Sequence, residues 1–377
     1  MRITALQTIS FRNLAQVVIE AHPRWNVVWG DNGQGKTNLL EAIYLTGTLR
    51  SFRANKTEEL IGFGAQEARV RARVEKDGTQ RLLEVRVTPG HKSARVDGKG
   101  TRAPDYFGGM NVVLFQPDDL RLPRGSPSGR RRFLDRAIFS ERPCYLTEAQ
   151  TYERVLRSRN AVLREAGPPR PQLLEVYDEQ LAKAAVAIVE RRHAFTQALA
   201  PRAAEVFQRL TRTGRVLSVR YRPALVERGA SVTIADDGPR AIEAAMRDQL
   251  ATDHRRDQAR GATSAGPHTD DLELMLDERE AQKYASQGQL RAIVLALKIA
   301  EIEHLTERLG DAPILLLDDV SSELDATRNA QLFEFLDARP GQVFITTTDP
   351  AHVRFKGERE TFHVLGGGIR SGAPSDA

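Results

Sequence analysis

The stretch GDNGQGKT, residues 30–37, decides the fold expected for this chain of 377 residues. It matches the pattern G-x-x-x-x-G-K-[S/T], in which backbone N–H groups surround phosphates at the start of a helix. The short apolar run Asn26–Trp29 precedes it, and apolar residues recur at helical spacing from Lys36 to about Leu49. A strand, a glycine-rich loop and a helix in this order predict a nucleotide-binding site rather than an ordinary turn.

Each part of this loop has an expected role in binding ATP. Glycines let the backbone come close to phosphates. Lys36 is expected to reach the β- and γ-phosphates, and the hydroxyl of Thr37 is expected to ligate Mg²⁺. The residues predicted to contact the nucleotide here are Gly30, Asn32, Gly33, Gln34, Gly35, Lys36, Thr37 and Asn38.

A second element of the predicted site is the sequence ILLLDD, residues 314–319. An apolar run of this kind is typical of a strand buried in a parallel sheet. Asp318 is predicted to hold Mg²⁺ together with Thr37, and Asp319 to orient or deprotonate the attacking water. A strand that ends in Asp can also be a simple helix cap, but the phosphate loop favours the catalytic interpretation.

A third element is the sequence SQGQ, residues 286–289, which opens a long amphipathic helix. Ser286 and Gln289 fit a capping box, and the same helix N-terminus could offer N–H groups to a γ-phosphate. The order of phosphate loop, S-x-G-Q helix, acidic strand and SELD (322–325) is that of ABC ATPases, in which this helix reaches the nucleotide of the other subunit. We therefore expect an ATP-dependent homodimer in which Ser286, Gly288 and Gln289 contact the nucleotide of the other subunit. Asp325 is also predicted to contact nucleotide.

Composition limits the class of protein. Lys plus Arg number 55 and Asp plus Glu 50, so the net charge of +5 indicates a polyanionic partner only weakly. The single cysteine, Cys144, excludes an internal disulfide and a Cys-rich zinc motif. The sequence shows neither a signal peptide nor an apolar run long enough to span a membrane, so we expect a cytoplasmic protein without a membrane partner.

The order of patterns along the chain predicts the domain organisation. Strand and helix patterns extend to Pro117, a segment rich in Arg, Ala, Glu and Leu follows, and strand patterns return with Leu272–Leu276. We expect an α/β fold, an ABC-type P-loop ATPase head formed by residues 1–116 and 265–377, with a mainly helical lobe inserted at 117–264. The sequence contains no sustained heptad run, so we expect no long coiled coil. Locally we expect a strand at 232–234, a loop at 255–264 and a disordered tail from Ser371.

Several longer stretches resemble the RecF family of DNA-repair ATPases, recombination mediators with an ABC/SMC-type head. They run in family order from residue 11 to about 349, and the G-P-H-x-D-D and D-D-x-x-S-E-L-D patterns are more specific than the phosphate loop. The matching stretches are Phe11–Leu14, Gly30–Tyr44, Gly125–Asp135, Gly266–Asp271, Ser286–Arg291 and Leu317–Asp325.

The resemblance implies a function in DNA replication and recombinational repair. It implies an ATP-induced homodimer that clamps DNA at gaps and double-/single-strand junctions, and that helps to load the recombinase with RecR- and RecO-type partners at the nucleoid. Asp319 stands where most ABC proteins have a glutamate, and its shorter side chain predicts weak, slow ATP hydrolysis that controls release. The usual switch histidine is missing, so a hydroxyl among residues 346–348 could sense the γ-phosphate.

Four assignments have open alternatives. Gln116 could be the catalytic, magnesium-linked glutamine or only a polar strand end, and Arg12 could touch the nucleotide or face solvent. His268 suits a structural role better than a catalytic one. A basic run could contact DNA phosphates without reading sequence, or could be a solvated helix start; it consists of Arg130, Arg131 and Arg132.

Two other functions compete with the DNA clamp. The ATP-hydrolysing subunit of an ABC transporter would share the motifs, but it needs a far shorter segment between Thr37 and Ser286. A small-molecule P-loop kinase needs no S-x-G-Q helix.

Overall fold

A computed structural model describes residues 1–165, 171–229, 232–350, 353, 355 and 357–372. In chain order its strands are β1 (Arg2–Phe11), β2 (Leu14–Glu20), β3 (Trp25–Trp29), β4 (Ala68–Lys76), β5 (Thr79–Thr88), β6 (His91–Val96), β7 (Lys99–Thr101), β8 (Val112–Phe115), β9 (Leu217–Arg222), β10 (Asp271–Leu276), β11 (Arg279–Glu280), β12 (Ile314–Asp318), β13 (Val343–Thr347), β14 (Arg359–Leu365) and β15 (Gly368–Ser371).

The helices are α1 (Lys36–Thr48), α2 (Ala103–Tyr106), α3 (Pro127–Glu141), α4 (Tyr145–Arg164), α5 (Pro171–Thr211), α6 (Ala224–Glu227), α7 (Gly238–Arg260), α8 (Ala281–Tyr284), α9 (Gln287–Leu309), α10 (Val320–Glu323) and α11 (Ala326–Asp337). Within the described ranges, none of the helices is both long and apolar enough to cross a membrane.

The first compact unit comprises Met1–Leu120 and Ile302–Ala377. One of its sheets has the strand order β15-β14-β3-β13-β12-β8, and all its neighbouring pairs except β14–β15 are parallel. The central strands β12 and β13 are buried along their whole length, as their continuous apolar sequences predict. Because the carboxyl ends of parallel strands meet at one edge, the ends of β3, β13, β12 and β8 lie side by side there.

The second sheet of this unit is antiparallel, with the order β2-β1-β4-β5-β6-β7. Helix α1 packs against both sheets, and one apolar cluster joins its Leu40 and Ile43 to Val70 of β4 and to Leu316 of β12. The helix that follows the phosphate loop is therefore buried on most of its surface, which holds the loop in a defined position.

The second compact unit comprises Arg121–Glu301. Its long helices α4, α5 and α7 pack on one another, and α5 also packs on a three-stranded sheet with the order β11-β10-β9. The expected α/β fold with a helical insertion is present.

The boundary of the inserted unit differs from the expected one. The head was expected to resume at residue 265, but residues 265–301 lie in the second unit. The reason is that β10 pairs with β9 in antiparallel register from Asp271↔Arg222 to Leu276↔Leu217. Pairing between distant strands carries no local sequence pattern that would have moved the boundary.

Three local predictions were wrong. The described residues 232–234 form no strand, and Ser371 ends β15; residues 373–377 of the expected tail lie outside the described residues. The expected loop at 255–264 is helical as far as Arg260, where Gly261 ends α7 in the left-handed conformation. Its polarity comes partly from Asp257, which is buried and therefore does not indicate solvent exposure.

Candidate nucleotide-binding site

The phosphate loop lies beneath the side chain of Asn13, a residue of the matching stretch Phe11–Leu14 for which no separate role was predicted. The amide of Asn13 donates to the carbonyl of Gln34 at 2.9 Å, and Asn38 donates to the Asn13 side-chain oxygen at 2.7 Å. Gly35 has φ +120°, and a Cβ there would lie 2.7 Å from that oxygen. Only glycine lets the loop pass under Asn13 and enter α1 at Lys36.

The hairpin between β14 and β15 supports the loop from another direction. The backbone N–H of Gly366 donates to Oε1 of Gln34 at 2.7 Å, and that of Gly367 donates to the Gln34 carbonyl at 3.1 Å. The Gln34 side chain thus positions the loop, whereas Asn32 and Gly33 are exposed.

Lys36 lies inside the loop, with only 6% of its surface exposed. Its Nζ donates to the carbonyls of Gly30 at 2.7 Å and Asp31 at 2.9 Å. Burial lowers the pKa of Lys36, while the charges of Asp319, Asp31 and Asp318 act in the opposite direction. A poorly solvated ammonium enclosed by a glycine-rich loop at a helix N-terminus is suited to bind phosphate oxygens.

Thr37 and Asp318 meet as the two motifs predict. The Thr37 hydroxyl donates to Oδ1 of Asp318 at 2.9 Å. Burial raises the pKa of Asp318, and the hydrogen bonds from Thr37 and Thr346 and the charge of Arg53 partly offset this effect. The ionised carboxylate therefore depends on these donors, or on a cation, to be stable at this buried position.

Thr346 holds the two carboxylate residues in place. Its hydroxyl donates to Oδ1 of Asp318 at 2.9 Å and accepts the backbone N–H of Asp319 at 2.8 Å. Thr347 bonds to the backbone of Asp349. Both hydroxyls are thus engaged within the protein, and the expectation that a hydroxyl among residues 346–348 senses a γ-phosphate stays a prediction.

Asp319 follows β12 in the left-handed conformation, with φ +50°, and begins α10. Arg53 is close enough for its charge to act on Asp318, and its guanidinium donates to Oδ1 of Asn38 at 2.8 Å. Arg53 lies in the segment after α1, where no motif marked it.

The donor set fits Mg²⁺ bound together with a nucleotide. Among the described residues no group of three or more His, Cys, Asp or Glu could hold a metal by itself. Mg²⁺ usually takes one or two protein ligands and completes its octahedron with phosphates and water, so Thr37 and Asp318 suffice. Gln116 follows β8, whose Phe115 is paired with Leu317, and thus lies beside Asp318 at the sheet edge.

Arg12 is bound within the protein. Its guanidinium donates to both carboxylate oxygens of Glu41, at 2.8 and 2.9 Å, and Glu41 is fully buried. Ser51 also donates to Glu41. The side chain of Arg12 therefore neutralises a buried acid rather than facing solvent, and its contact with the nucleotide stays a prediction.

The S-x-G-Q helix begins with a reciprocal capping box. The N–H of Ser286 donates to Oε1 of Gln289 at 2.8 Å, and the N–H of Gln289 donates to the Ser286 hydroxyl at 3.2 Å. Ser286 is exposed and Gly288 half-buried, so this helix start is accessible to a ligand. Asp325 caps α11 by accepting the N–H of Arg328 at 3.1 Å.

The sequence matches the family model of the RecF/RecN/SMC N terminal domain over residues 2–364. The DNA replication and repair protein RecF of Myxococcus xanthus (strain DK1622) is 47% identical over 355 residues, which are 94% of this chain and 92% of that protein. RecF of Anaeromyxobacter sp. (strain Fw109-5) is 45% identical over 374 residues, 98% of this chain and 99% of that protein. The chain belongs to the RecF family.

Solved structures agree with this RecF assignment. The recombination mediator protein RecF-ATPrS in the RecFOR pathway matches with a TM-score of 0.89 and 30% identity, covering 99% of this chain and 98% of that one. An SMC head bound to the C-winged helix domain of ScpA matches with a TM-score of 0.56 at 16% identity, which shows the shared fold alone. The expected head fold is confirmed, and the transporter alternative is not favoured.

The RecF-family stretch Gly266–Asp271 has a structural role in the second unit. His268 Nε2 lies 3.0 Å from the carbonyl of Thr263, and Nδ1 lies 2.6 Å from the hydroxyl of Tyr152. Because a carbonyl only accepts, Nε2 carries the proton and Tyr152 donates to Nδ1. Burial lowers the pKa of His268, so a neutral, structural histidine is the better description.

The basic run Arg130–Arg132 lies within the matching stretch Gly125–Asp135 and is mostly internal, which corrects its assignment as a DNA-contacting triplet. Arg130 is 7% exposed and pairs with Asp271 at 2.7 and 2.8 Å. Arg131 is half-buried and donates to the carbonyl of Asp270 at 2.6 Å. Arg132 alone of the three is exposed.

Proposed function

We propose that this chain is an ATP-dependent DNA-binding protein of DNA replication and recombinational repair that works as a homodimer. The observation that carries the proposal is the convergence of Lys36, Thr37 and Asp318 at one sheet edge, with Thr37 and Asp318 joined at 2.9 Å. Relatives covering almost the whole chain are DNA replication and repair proteins, and the solved relatives are recombination mediators named with ATP or ATPrS.

The nucleotide half of the proposal assigns roles to particular side chains. The loop N–H groups and Lys36 would bind the phosphates, while Thr37, Asp318 and Gln116 would hold Mg²⁺, which when bound neutralises charge on the β- and γ-phosphates. Asp319 would orient or deprotonate the attacking water. Its carboxylate is one methylene shorter than a glutamate, so hydrolysis is slow and ATP acts as a timer for release.

The homodimer half rests on the exposed start of α9. Its first-turn N–H groups carry the positive end of the helix dipole, and Gly288 leaves room for a γ-phosphate to approach. We infer that this helix start closes over ATP held by the partner, and that Gln289 and Asp325 complete the trans contacts. Gapped DNA and RecR- and RecO-type partners are further parts of the proposal, supported by family membership.

The oligomeric state tests this proposal. Light scattering after gel filtration, with Mg²⁺ and ATPγS, should show a wild-type dimer and a Lys36→Met monomer that does not bind nucleotide. Ser286→Arg should bind ATPγS normally yet stay monomeric, because its long charged side chain blocks the helix start. Ala251→Arg, which adds the same side chain at an exposed site on α7, is the matched control and should dimerise.

DNA binding then separates a DNA clamp from other nucleotide-dependent dimers. Wild-type protein should bind gapped duplex more tightly with ATPγS than without it, and Ser286→Arg should lose that difference. A wild-type monomer in saturating ATPγS, or a Ser286→Arg protein that dimerises normally, would remove the dimer half of the proposal.

A further inference from the structure

The backbone carbonyl of Gln34, in the middle of the phosphate loop, accepts two hydrogen bonds from outside the loop. The side-chain amide of Asn13 donates to it at 2.9 Å, and the backbone N–H of Gly367 donates to it at 3.1 Å. Asn13 lies in the turn between β1 and β2, and Gly367 lies in the hairpin between β14 and β15. Two separate segments of the first unit therefore fix the direction of a single loop carbonyl.

The direction of this carbonyl also fixes the direction of the next N–H. The peptide bond between Gln34 and Gly35 is planar and trans, so its C=O and its N–H point in opposite directions. Because the carbonyl points at Asn13 and Gly367, the N–H of Gly35 points away from both segments. This leaves the N–H available to the phosphates that a loop of this kind binds at a helix N-terminus.

Glycine at position 35 makes this orientation easy to lose. Gly35 has φ +120°, and glycine adopts positive and negative φ about equally readily. A flip of the peptide changes mainly ψ of Gln34 and φ of Gly35, so the backbone itself offers little steric resistance to it. The flipped peptide would present an oxygen to the phosphates instead of an N–H. The productive orientation therefore depends on the two donors.

The side chain of Asn13 is itself held in the orientation that lets it donate. Asn38, in the first turn of α1, donates to the Asn13 Oδ1 at 2.7 Å, which leaves Nδ2 directed at the loop. Asn38 in turn accepts a hydrogen bond from Arg53 at 2.8 Å. The hairpin lies so close that a Cβ at Gly367 would be 2.0 Å from the backbone oxygen of Asn13. These contacts order Asn13 although its side chain is exposed.

We propose that Asn13 is a positioning residue that keeps the N–H of Gly35 directed at the phosphates. The proposal rests on the proposed function, since it concerns the phosphate contacts of that nucleotide site. Asn13 acts through the Gln34 carbonyl rather than by contact with the nucleotide. A hydrogen bond to a charged group changes affinity by about 10- to 150-fold, so loss of the Gly35 contact should weaken binding within that range.

Calorimetric titrations with Mg·ATPγS and with Mg·tripolyphosphate, which carries the phosphates but no nucleoside, test this role. Asn13→Ala removes one donor and should weaken the binding of both ligands by a similar factor, about 10- to 150-fold. Gly367→Ala, whose Cβ displaces the second donor, should weaken both ligands in the same way. Asn55→Ala truncates an exposed asparagine of the same unit and should bind both ligands as wild type does.

The orientation of the peptide is also accessible to NMR. The chain has two Gln–Gly pairs, Gln34–Gly35 and Gln287–Gly288, so isotope labelling of glutamine carbonyl carbons and glycine nitrogens isolates the amide signals of Gly35 and Gly288. Without ligand, Asn13→Ala should shift or broaden the Gly35 signal and leave the Gly288 signal unchanged. A loss of stability alone would move neither signal while the protein stays folded.

Three results would overturn the inference. Unchanged affinity for both ligands in Asn13→Ala would do so, and a loss confined to ATPγS would place Asn13 beside the nucleoside instead. Weaker binding with an unchanged Gly35 signal would show that Asn13 does not orient this peptide. Failure of the proposed function is recognised separately, because wild-type protein itself would then bind no ATPγS.

Discussion

Replacing Arg12 with alanine should destabilise the first unit strongly, because it leaves the buried carboxylate of Glu41 without its cation. Glu41 is completely buried and Arg12 retains 18% side-chain exposure, with two hydrogen bonds of 2.8 and 2.9 Å between them. Removing one member of a buried ion pair costs about 3–5 kcal/mol. Since Arg12 is partly exposed and Ser51 still donates to Glu41, we expect the lower end, about 3 kcal/mol.

The loss should depend on the charge left behind rather than on the missing side chain. The double variant Arg12→Met/Glu41→Leu removes both charges, so it should be clearly more stable than Arg12→Ala, by about 2 kcal/mol or more. Arg2→Ala is a matched control: its pair with Glu75 is 40% and 27% exposed, and the change should cost less than about 1 kcal/mol.

Urea unfolding followed by tryptophan fluorescence measures these differences. Both tryptophans, Trp25 and Trp29, lie in β3, so the signal reports on the first unit. For a unit of roughly 200 residues, a loss of about 3 kcal/mol lowers the melting temperature by about 6–12 °C. The reasoning would be refuted if the free energy of unfolding of Arg12→Ala lay within about 1 kcal/mol of the wild-type value while ATP affinity fell strongly. Arg12 would then be a nucleotide contact.

Two further predictions concern DNA and pH. Arg132→Glu should weaken DNA binding and lower the slope of log affinity against log salt by about 1. Arg102→Glu, a charge reversal at another exposed arginine, on the first unit, should leave the slope unchanged in anisotropy titrations. Burial raises the pKa of Asp318, and only the carboxylate form can ligate Mg²⁺, so affinity for Mg·ATPγS should fall as the pH is lowered from about 8 towards about 5. Thr346→Val removes a donor to that carboxylate and should move the fall to higher pH, while Thr348→Val, at an exposed neighbouring position, should not; identical pH profiles for both variants would contradict this account.

The parts of the site that local sequence could predict are those whose geometry is local. The phosphate loop needs glycines at fixed spacing and a following helix, and the acidic strand needs an apolar run before Asp318, so both could be recognised without knowing their neighbours. Asn13 lies in the matching stretch Phe11–Leu14, but no local pattern shows that it contacts the loop across the β1–β2 turn. Arg53 lies in the segment after α1 outside every motif, so its bond to Asn38 could not be predicted either. The same holds for the domain boundary, which depends on β10 pairing with a strand almost fifty residues earlier, as the registered pair Asp271↔Arg222 shows.

The interpretation of charged residues failed for one physical reason that recurs through the molecule. Polar sequence was taken to indicate solvent exposure in the basic run and in the C-terminal part of α7. Yet Arg130 pairs with Asp271, 141 residues away, and Arg159 pairs with Asp257, 98 residues away, where both side chains of the second pair are fully buried. Each partner is invisible to a local pattern because it comes from a distant segment.

Buried pairs of this kind also limit how the DNA surface can be mapped. An Arg→Ala scan would lower DNA binding at Arg130 by leaving Asp271 without its cation and loosening the second unit, not by removing a phosphate contact. The two causes differ in their salt dependence: loss of a phosphate contact lowers the slope of log affinity against log salt, whereas a smaller folded fraction lowers affinity equally at all salt concentrations. We therefore expect Arg130→Ala to reduce DNA affinity with an unchanged slope and a lower melting temperature, while Arg132→Ala changes the slope and leaves the melting temperature near that of wild type. The reverse pattern would place Arg130, despite its 7% exposure, at the DNA surface.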